Sequence, residues 1–564
     1  MKSTLKAAPT LIGVLPPRWT WLETRPVLSI ETLAILTSLF FSLTANYRFF
    51  LAALEHSIGS QPSTWLYAIC LFVALTAAQS ALLMVVLTRW NAKLLITCLL
   101  IVTAAAAYYM ERYTVFFNGE MVRNILRTDV REASELLSLN MLVHILVFGA
   151  LPALLVWRVK LVRRPWKRTL LIRPLSIVVA LMLTMLAGMM MFQDFSAMMR
   201  NQKEARFLIM PSAYLTSFAR VMAADGSNAS RTRIPISEDA HLGAFWGGRS
   251  KPMLFVLVVG ETTRAANWGL NGYARQTTPE LAALNVVNFA KATSCGTNTE
   301  VSVPCMFSPY GRHDYNEDKI RSHESLLHVI EHAGIKTVWR DNQSGCKGVC
   351  DGLTMHQIDS NLASPLCDGE RCLDEIMLQG LDGEIHQAKN GNLFIVLHQL
   401  ANHGPAYFKR YPSAMRTFSP TCDTADLGKC TQSEIVNTYD NAMLYTDHFL
   451  ARTIDWLKTQ TQYDSAMLYL SDHGESLGEN GIYLHGLPYS IAPRQQTEIP
   501  MVMWMSPGFA SDFGIDMACL QQRAAQPISH DHLFHSLLGL LHVESSTYDK
   551  SWDALAECRR GHAA

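Results

Sequence analysis

The first third of this chain contains five apolar segments, each close to the length that a helix needs to cross a bilayer. A spanning helix requires about 20 mainly apolar residues. The last two segments are short enough to be buried core helices instead. However, the loop between them carries many Lys and Arg residues and no acid, which is typical of a cytoplasmic loop. The predicted spans cover 27–50, 65–87, 94–110, 141–157 and 175–192.

An odd number of spans, with a basic N-terminus inside, places everything after residue 192 outside the cytoplasm. We therefore predict a five-helix transmembrane domain over 1–194, an interfacial linker over 195–240 and an exported domain over 241–564. A short helix over 120–132 is expected to lie on the membrane surface. Basic and acidic residues balance at 48 each, which argues against a nucleic-acid partner, because such proteins need a basic face.

Cysteine positions provide a second argument for export. Of 12 cysteines, all but Cys70 and Cys98 lie after residue 290, mostly as close neighbours. An even set with short spacings in an exported domain indicates disulfides. Zinc ligation by cysteine is the alternative, but no CxxC pair occurs and the compartment is oxidising. The expected pairs are Cys295–Cys305, Cys346–Cys350, Cys367–Cys372, Cys422–Cys430 and Cys519–Cys558.

From about residue 251 the pattern becomes α/β, with near-continuous apolar runs alternating with helical stretches. Such runs predict a mostly parallel sheet covered on both faces. In open sheets of this kind, ligands bind beyond the carboxyl ends of the strands. The predicted strands cover 253–259, 336–339, 393–397, 466–470 and 499–505.

Acids and imidazoles follow several of these runs. Glu261 follows the first run, Asp472 and His473 follow the fourth, and His403 follows the third. Gly474 permits the turn that Asp472 and His473 need in order to share a metal. Carboxylate and imidazole groups are zinc ligands, and three of them leave a fourth position open. A structural salt-bridge cluster is the alternative interpretation.

The segment 294–305 offers a hydroxyl for that fourth position. Small residues precede a predicted helix, which a Cys295–Cys305 disulfide would pin. Coordination by zinc lowers the pKa of a hydroxyl, and a helix N-terminus favours the resulting alkoxide. On chemistry alone, either Thr297 or Thr299 can be the nucleophile.

Six motifs together resemble the phosphoethanolamine transferases, and most closely the lipid A-modifying branch that includes the mobile colistin-resistance proteins. The resemblance covers nearly the whole chain and implies a fold like that of alkaline phosphatase and the sulfatases. The motifs are GETTR at 260–264, NGYARQTTP at 271–279, SCGTNT at 294–299, VPCMFS at 303–308, NHGP at 402–405 and SDHGESLGEN at 471–480.

The resemblance assigns roles to the residues of the cluster. It makes Glu261, Thr299, Asp472 and His473 the ligands of a zinc ion. It selects Thr299 over Thr297 as the catalytic nucleophile.

The resemblance also implies residues that bind substrate or a second zinc. His403 and His485 match family histidines with either role, and Lys347 matches a phosphate-binding lysine. At Gln343 the family often has Asn or Asp. Glu475 is expected beside the first metal or near the second. The alternative is a structural role for the two histidines and a solvated loop position for Lys347.

Asn124 and Glu132 match family positions near a lipid entrance, although both could simply cap or solvate a surface helix. The implied reaction moves phosphoethanolamine from phosphatidylethanolamine to a lipid A phosphate through a phosphoethanolamine-threonine intermediate. It lowers the negative charge of the cell surface and so weakens binding of polymyxin and other cationic peptides. The expected location is the Gram-negative inner membrane, among membrane lipids, with a periplasmic catalytic domain and a monomeric chain.

Other functions remain open at this point. The acceptor could be another envelope glycan, the group transferred could be phosphoglycerol, or a membrane-anchored sulfatase or phosphatase could pass the intermediate to water. A glycerol-phosphate polymerase of the lipoteichoic acid type shares the five-span plan, but the dense disulfides disfavour it. A non-catalytic membrane sensor has no need of a hydroxyl at a metal site.

Overall fold

The structure is a computed structural model that describes residues 25–54, 62–128, 130–228, 233–388 and 391–559. The chain divides into two compact units. The first combines Met1–Tyr108 with Val143–Ala205, and the second combines Tyr109–Leu142 with Arg206–Ala564. The predicted domain boundaries at 194 and 240 stay a prediction, because these units are defined by packing and not by the position of a membrane.

Among the described residues, four helices are long and apolar enough to span a membrane, and a bent pair makes a fifth. The pair, Ile30–Thr44 and Tyr47–Leu54, bends by 60° within the first predicted span. The helix Ile30–Thr44 ends just before Asn46, whose side-chain amide caps it by donating to the Phe41 carbonyl at 2.9 Å. The other four are Thr64–Val86, Ala92–Tyr113, Leu139–Arg158 and Trp166–Met190.

The last spanning helix begins earlier than predicted, at Trp166 rather than 175. Its first turns therefore include Arg173 from the basic segment. The Arg173 guanidinium donates to the Met84 carbonyl oxygen at 2.6 Å, near the end of a neighbouring helix. A basic side chain is thus accommodated in this helix by satisfying free carbonyls at a helix terminus.

The second unit is built on an eight-stranded sheet. The strands are β1 Met253–Gly260, β2 Val287–Thr293, β3 Lys336–Asp341, β4 Thr354–Gln357, β5 Leu393–His398, β6 Asp464–Ser471, β7 Glu498–Met505 and β8 Ile528–Ser529. Their order in the sheet is β8-β2-β7-β6-β1-β5-β3-β4. All pairs are parallel except those of β7, which is antiparallel to β2 and β6. The mostly parallel sheet predicted from the sequence is confirmed.

Both faces of the sheet carry a hydrophobic core. Along β1, Phe255 and Leu257 face one core while Val256 and Val258 face the other, and all four are buried. This alternation follows from the period of two in a strand. The helices of this unit include Gly119–Arg127, Val130–Glu135, Ser212–Asn228, Thr299–Met306, Glu317–Ser322, Leu326–His332, Leu381–Gln387, Gln432–Thr459, Pro507–Asp512, Met517–Ala524 and Leu533–Leu540.

Five disulfides reinforce the second unit, in the predicted pairing. One of them, Cys295–Cys305, encloses the start of the helix Thr299–Met306. Cys70 and Cys98 are free thiols in the apolar first unit. The disulfides therefore occur in the part of the chain that was predicted to be exported.

Candidate active site

The carboxyl ends of β1 and β6 bring the predicted metal ligands together. These strands are parallel neighbours, with Gly260 opposite Ser471, so Glu261 and Asp472 leave the sheet side by side. His473 Nε2 lies 3.3 Å from Glu261 Oε1 and 3.3 Å from Asp472 Oδ2. All three side chains are fully buried, and their ligand atoms lie within 4.8 Å of one another.

Gly474 makes the turn after His473 possible. A Cβ atom at this position would overlap the carbonyl oxygen of Gln495, so the chain passes at a distance that only glycine allows. The His473 Nδ1 atom lies 2.9 Å from the Gly474 carbonyl oxygen. Since Nδ1 donates there, Nε2 is the ring nitrogen that faces the carboxylates, and it is the atom that could ligate a metal once it loses its proton.

The charge of this cluster is not balanced by the protein. Burial and the neighbouring Glu261 carboxylate raise the pKa of Asp472 to about 7. Burial lowers the pKa of His473, but the Asp472 and Glu261 carboxylates outweigh it and raise that pKa to about 10. Asp472 Oδ2 has no hydrogen-bond partner among the described residues. Two buried carboxylates beside one imidazole, with one carboxylate oxygen that accepts no hydrogen bond from the described residues, fit a divalent cation.

The Thr299 hydroxyl lies beside these three side chains. Thr299 is the first residue of the helix Thr299–Met306, which Asn298 caps by accepting from the Val301 N–H at 3.0 Å. The Thr299 hydroxyl donates to Glu261 Oε2 at 3.0 Å and lies 3.5 Å from His473 Nε2. In contrast, the Thr297 hydroxyl donates to a main-chain carbonyl at 2.6 Å. Of the two candidate nucleophiles, the fold brings only Thr299 to the cluster.

Buried polar contacts hold the helix Thr299–Met306 and the segment before it in place. The Ser302 hydroxyl donates to the Asp472 carbonyl at 2.5 Å, and His530 Nδ1 accepts from the Cys295 N–H at 3.0 Å. Burial lowers the pKa of His530 to about 4, so this imidazole is neutral and can accept that bond. These contacts fix the distance between Thr299 and the strand end that carries Asp472.

Comparison with known proteins identifies the family. The "Phosphoethanolamine transferase EptA/EptB" profile matches residues 75–225, and the Sulfatase profile matches 254–543. EptA of Escherichia coli K12 is 38% identical over 545 residues, covering 95% of this chain and 98% of that protein. The chain belongs to the phosphoethanolamine transferase family. The resemblance drawn from the motifs is therefore confirmed.

Other family members cover both parts of the molecule. The Escherichia coli Mcr-1 transferase is 36% identical over 86% of this chain and 91% of its own length. The integral membrane transferase EptA from Neisseria meningitidis has a TM-score of 0.90 at 39% identity, covering 95% of this chain and all of that structure. The periplasmic domain of EptC from Campylobacter jejuni has a TM-score of 0.51 at 40% identity, covering 58% of this chain and 99% of that structure. The predicted fold and membrane location are confirmed.

Gln343 and Lys347 reach the cluster through a hydrogen-bonded relay. Gln343 Nε2 donates to Glu261 Oε2 at 3.1 Å, and the Ser344 hydroxyl donates to the Gln343 side-chain oxygen. Lys347 Nζ donates to Ser344 Oγ at 2.5 Å. Gln343 thus holds the carboxylate of Glu261, which is a predicted metal ligand. The phosphate-binding role of Lys347 stays a prediction.

Two predicted histidines lie beside His473. The His485 ring is 4.5 Å from that of His473 and 5.6 Å from that of His403, between centroids. Glu475 orients His485 by accepting from Nδ1 at 2.7 Å, and it also accepts from the Tyr407 hydroxyl at 2.5 Å. Glu475 therefore positions His485, and whether these groups hold substrate or a second zinc stays a prediction.

The residues predicted near a lipid entrance lie in the same unit as the catalytic residues. Asn124 is half-buried on the helix Gly119–Arg127, where its carbonyl accepts from the Thr128 hydroxyl. Arg127 of this helix donates to Glu300 Oε1 at 2.5 Å. Glu132 lies in the helix Val130–Glu135, but its side chain is outside the described residues.

Asp341 was not predicted as a site residue, but it shapes the loop that carries Gln343 and Lys347. The predicted strand ended at Trp339, whereas β3 continues to Asp341. Asp341 Oδ1 accepts from the Gln343 N–H at 2.8 Å, and Oδ2 lies 2.8 Å from His398 Nδ1. Burial raises the pKa of Asp341, but His398 outweighs burial and holds it at about 2. An acid at the carboxyl end of a predicted strand was the available signal.

Proposed function

We propose that this chain transfers phosphoethanolamine from phosphatidylethanolamine to a lipid A phosphate, with Thr299 as the nucleophile. The observation that carries the proposal is the Thr299 hydroxyl, 3.0 Å from a fully buried carboxylate of a cluster with excess negative charge. A relative from Escherichia coli K12, 26% identical, is named a Kdo(2)-lipid A phosphoethanolamine 7''-transferase. The chain acts as a monomer in the inner membrane, with its catalytic unit in the periplasm.

The donor set suits zinc, and Glu261, Thr299, Asp472 and His473 would hold it. When bound there, zinc would lower the pKa of the Thr299 hydroxyl and offset the charge of the two carboxylates. His403, His485 and Glu475 are the residues for a second zinc, if the enzyme uses one.

The reaction consists of two displacements at phosphorus. In the first, Thr299 Oγ1 forms a bond to the phosphorus of phosphatidylethanolamine, and the bond to diacylglycerol breaks. The hydroxyl proton leaves toward Glu261, to which it is already hydrogen-bonded. The imidazole of His403 or His485 protonates the departing alkoxide. The products of this step are diacylglycerol and a phosphoethanolamine-threonine.

In the second displacement, a phosphate oxygen of lipid A attacks the same phosphorus and the bond to Thr299 Oγ1 breaks. The hydroxyl regains its proton, and phosphoethanolamine remains on the acceptor. Lys347 contributes a fixed positive charge near the transferred phosphate. Added ethanolamine then lowers the negative charge of the surface, which weakens binding of polymyxin.

Hydrolysis is the second candidate, because the Sulfatase profile matches residues 254–543. In that case water replaces the acceptor in the second displacement. Transfer to another envelope glycan differs only in the acceptor. All three share the first displacement, so the fate of the phosphoethanolamine group distinguishes them.

Mass spectrometry of lipid A from expressing cells tests the proposal. Wild type should add one phosphoethanolamine to lipid A and raise polymyxin resistance, and Thr299→Ala should abolish both. Thr297→Ala is the matched control, because this hydroxyl bonds a main-chain carbonyl away from the cluster. Unmodified lipid A with free phosphoethanolamine would indicate hydrolysis, and modified lipid A in the Thr299→Ala strain would contradict the proposal.

A further inference from the structure

Glu300 follows the nucleophile in the chain and is buried at the start of the helix Thr299–Met306. We infer that Glu300 is a positioning residue, whose carboxylate helps to hold three cations on the wall of a cavity that Glu300 itself borders, so that they can bind the donor phosphate. This role rests on the proposed transfer reaction, and it adds a residue that sets the affinity for the donor, phosphatidylethanolamine.

The carboxylate of Glu300 gathers cations from three other segments. Its side chain is 1% exposed. Oε1 accepts from Arg127 at 2.5 Å and from Arg321 at 3.0 Å. Oε2 lies 3.8 Å from Lys347 Nζ. Arg321 also donates to the main-chain carbonyl of Glu300 at 2.6 Å, which ties it to the helix itself.

Each cation comes from a different element near the site. Arg127 ends the helix Gly119–Arg127, Arg321 belongs to Glu317–Ser322, and Lys347 belongs to the loop of the Gln343 relay. A cavity of about 950 Å³ is bordered by all three cations and by Glu300. One carboxylate therefore contacts three cationic groups that line this space. Arg127 also pairs with Asp225 at 3.1 Å, and Arg321 also pairs with Glu317 at 3.1 Å.

Lys347 Nζ donates to the Ser344 carbonyl at 3.2 Å and to the Ser344 hydroxyl at 2.5 Å, which leaves one of its three N–H groups for substrate among the described residues. Glu300 Oε2 has no hydrogen-bond partner among the described residues, and Glu300 is the carboxylate nearest to Lys347 there. At 3.8 Å the pair attracts without a direct hydrogen bond. A phosphate oxygen can thus accept from Lys347 without breaking a bond to Glu300. Preorganised donors of this kind increase affinity because less ordering remains to be done on binding.

A purely structural role makes a different prediction. If Glu300 only stabilised the fold, its loss would lower the folded fraction and the zinc content along with the maximal rate. If it positions the cations for the donor, its loss should raise the KM for phosphatidylethanolamine and leave zinc content and kcat nearly unchanged.

The test uses the full-length protein in detergent micelles with phosphatidylethanolamine as donor. Glu300→Gln keeps the shape of the side chain and removes its charge. We expect the donor KM to rise about tenfold while kcat changes less than about threefold, since the cations line the cavity and do not touch the metal ligands. Zinc per protein, measured by elemental analysis, should match wild type.

Asp423→Asn is the control, because Asp423 pairs with Arg416 at 3.0 Å and neither residue borders this cavity. Its KM should equal that of wild type. Arg127→Gln, in a side chain 38% exposed, is the second variant in case Glu300→Gln fails to fold. It should raise the donor KM about threefold, and adding it to Glu300→Gln should raise KM less than the product of the two effects.

An unchanged KM in Glu300→Gln, or a loss of zinc and kcat at constant KM, would overturn the inference. If Glu300→Gln does not fold, an unchanged KM in Arg127→Gln would overturn it. Failure of the proposed function looks different, because wild type itself would then transfer no phosphoethanolamine.

Discussion

Two buried carboxylate clusters flank Thr299, and they differ in how their charge is balanced. On one side, Glu261 and Asp472 face a single imidazole, and one Asp472 oxygen has no hydrogen-bond partner among the described residues. On the other side, Glu300 is surrounded by three cationic side chains of the protein. A buried carboxylate needs compensation, so the first cluster indicates a cation from outside and the second a fixed internal network.

The largest effect is expected from removing a charge in the uncompensated cluster. Asp472→Asn should lose zinc and at least about a thousandfold in transfer rate, because a ligand carboxylate is replaced by a weak amide donor. Zinc content and the rate of lipid A modification provide the measurement. Zinc binding at the wild-type level would contradict the assignment of this cluster as the metal site.

Without metal, Asp472→Asn should have a favourable effect, because it removes a buried carboxylate that destabilises the folded protein near neutral pH. The folded-state pKa of Asp472, about 7, lies above its ordinary value, so its carboxylate form destabilises the folded protein. Chelator-treated wild type should therefore lose stability as pH rises from about 4 to about 7, by roughly 2 kcal/mol, and Asp472→Asn should lack this loss. Denaturation with chelator at pH 5 and pH 8 checks it. Equal pH dependence in both proteins would indicate that the carboxylate is compensated without metal.

Two disulfides of the second unit should differ in what their removal costs in stability and in activity. Cys295–Cys305 closes 10 residues around Thr299, whereas Cys519–Cys558 closes 39 residues elsewhere. Replacing each pair by Ser should cost about 3 and about 4 kcal/mol of stability respectively, because a longer loop gains more entropy on unfolding. The transfer rate should fall about tenfold when Cys295–Cys305 is replaced, because that disulfide pins the helix that begins at Thr299, and it should not fall when Cys519–Cys558 is replaced. Measuring the free energy of unfolding and the transfer rate of both variants tests this prediction.

The smallest effect concerns a compensated pair away from the metal cluster. His448 Nδ1 lies 2.8 Å from Glu280, and Nε2 lies 3.6 Å from Glu375. The Glu375 and Glu280 carboxylates raise the pKa of His448 to about 9. Its stabilisation is thus full below about pH 6.5 and is lost as pH rises through about 9.

His448→Gln should remove that pH-dependent part, worth roughly 1 kcal/mol because the pair is partly exposed to solvent. Unfolding of metal-loaded protein at pH 6 and pH 9 measures it, and the transfer rate at pH 7 should be unchanged. A variant whose stability falls between these pH values as steeply as wild type would contradict the assignment.

Much of the sheet was predictable because its central strands are buried on both faces. β1, β3, β5, β6 and β7 all contain near-continuous apolar runs, and the metal ligands follow two of them directly. β2 escaped notice because Asn288 and Lys291 interrupt its apolar pattern. All four residues of β4 are exposed, and β8 is only two residues long, so neither strand has an apolar run.

The network around Glu300 could not be predicted in the same way. Its partners, Arg127, Arg321 and Lys347, are separated widely along the chain, and no local pattern links them. Arg127 also lies in the segment Tyr109–Leu142, which packs with the catalytic residues although apolar spans flank it in sequence. Such a charge network depends on tertiary packing, which periodicity and motif spacing do not encode.

Direct detection of the covalent intermediate is the most decisive measurement. Purified zinc-loaded protein is mixed with phosphatidylethanolamine in the absence of acceptor, quenched with acid and analysed by peptide mass spectrometry. We expect one phosphoethanolamine on Thr299, formed in step with the release of diacylglycerol and absent after chelation. Phosphoethanolamine on Thr297 or another residue, or transfer to lipid A with Thr299 replaced by Ala, would contradict it.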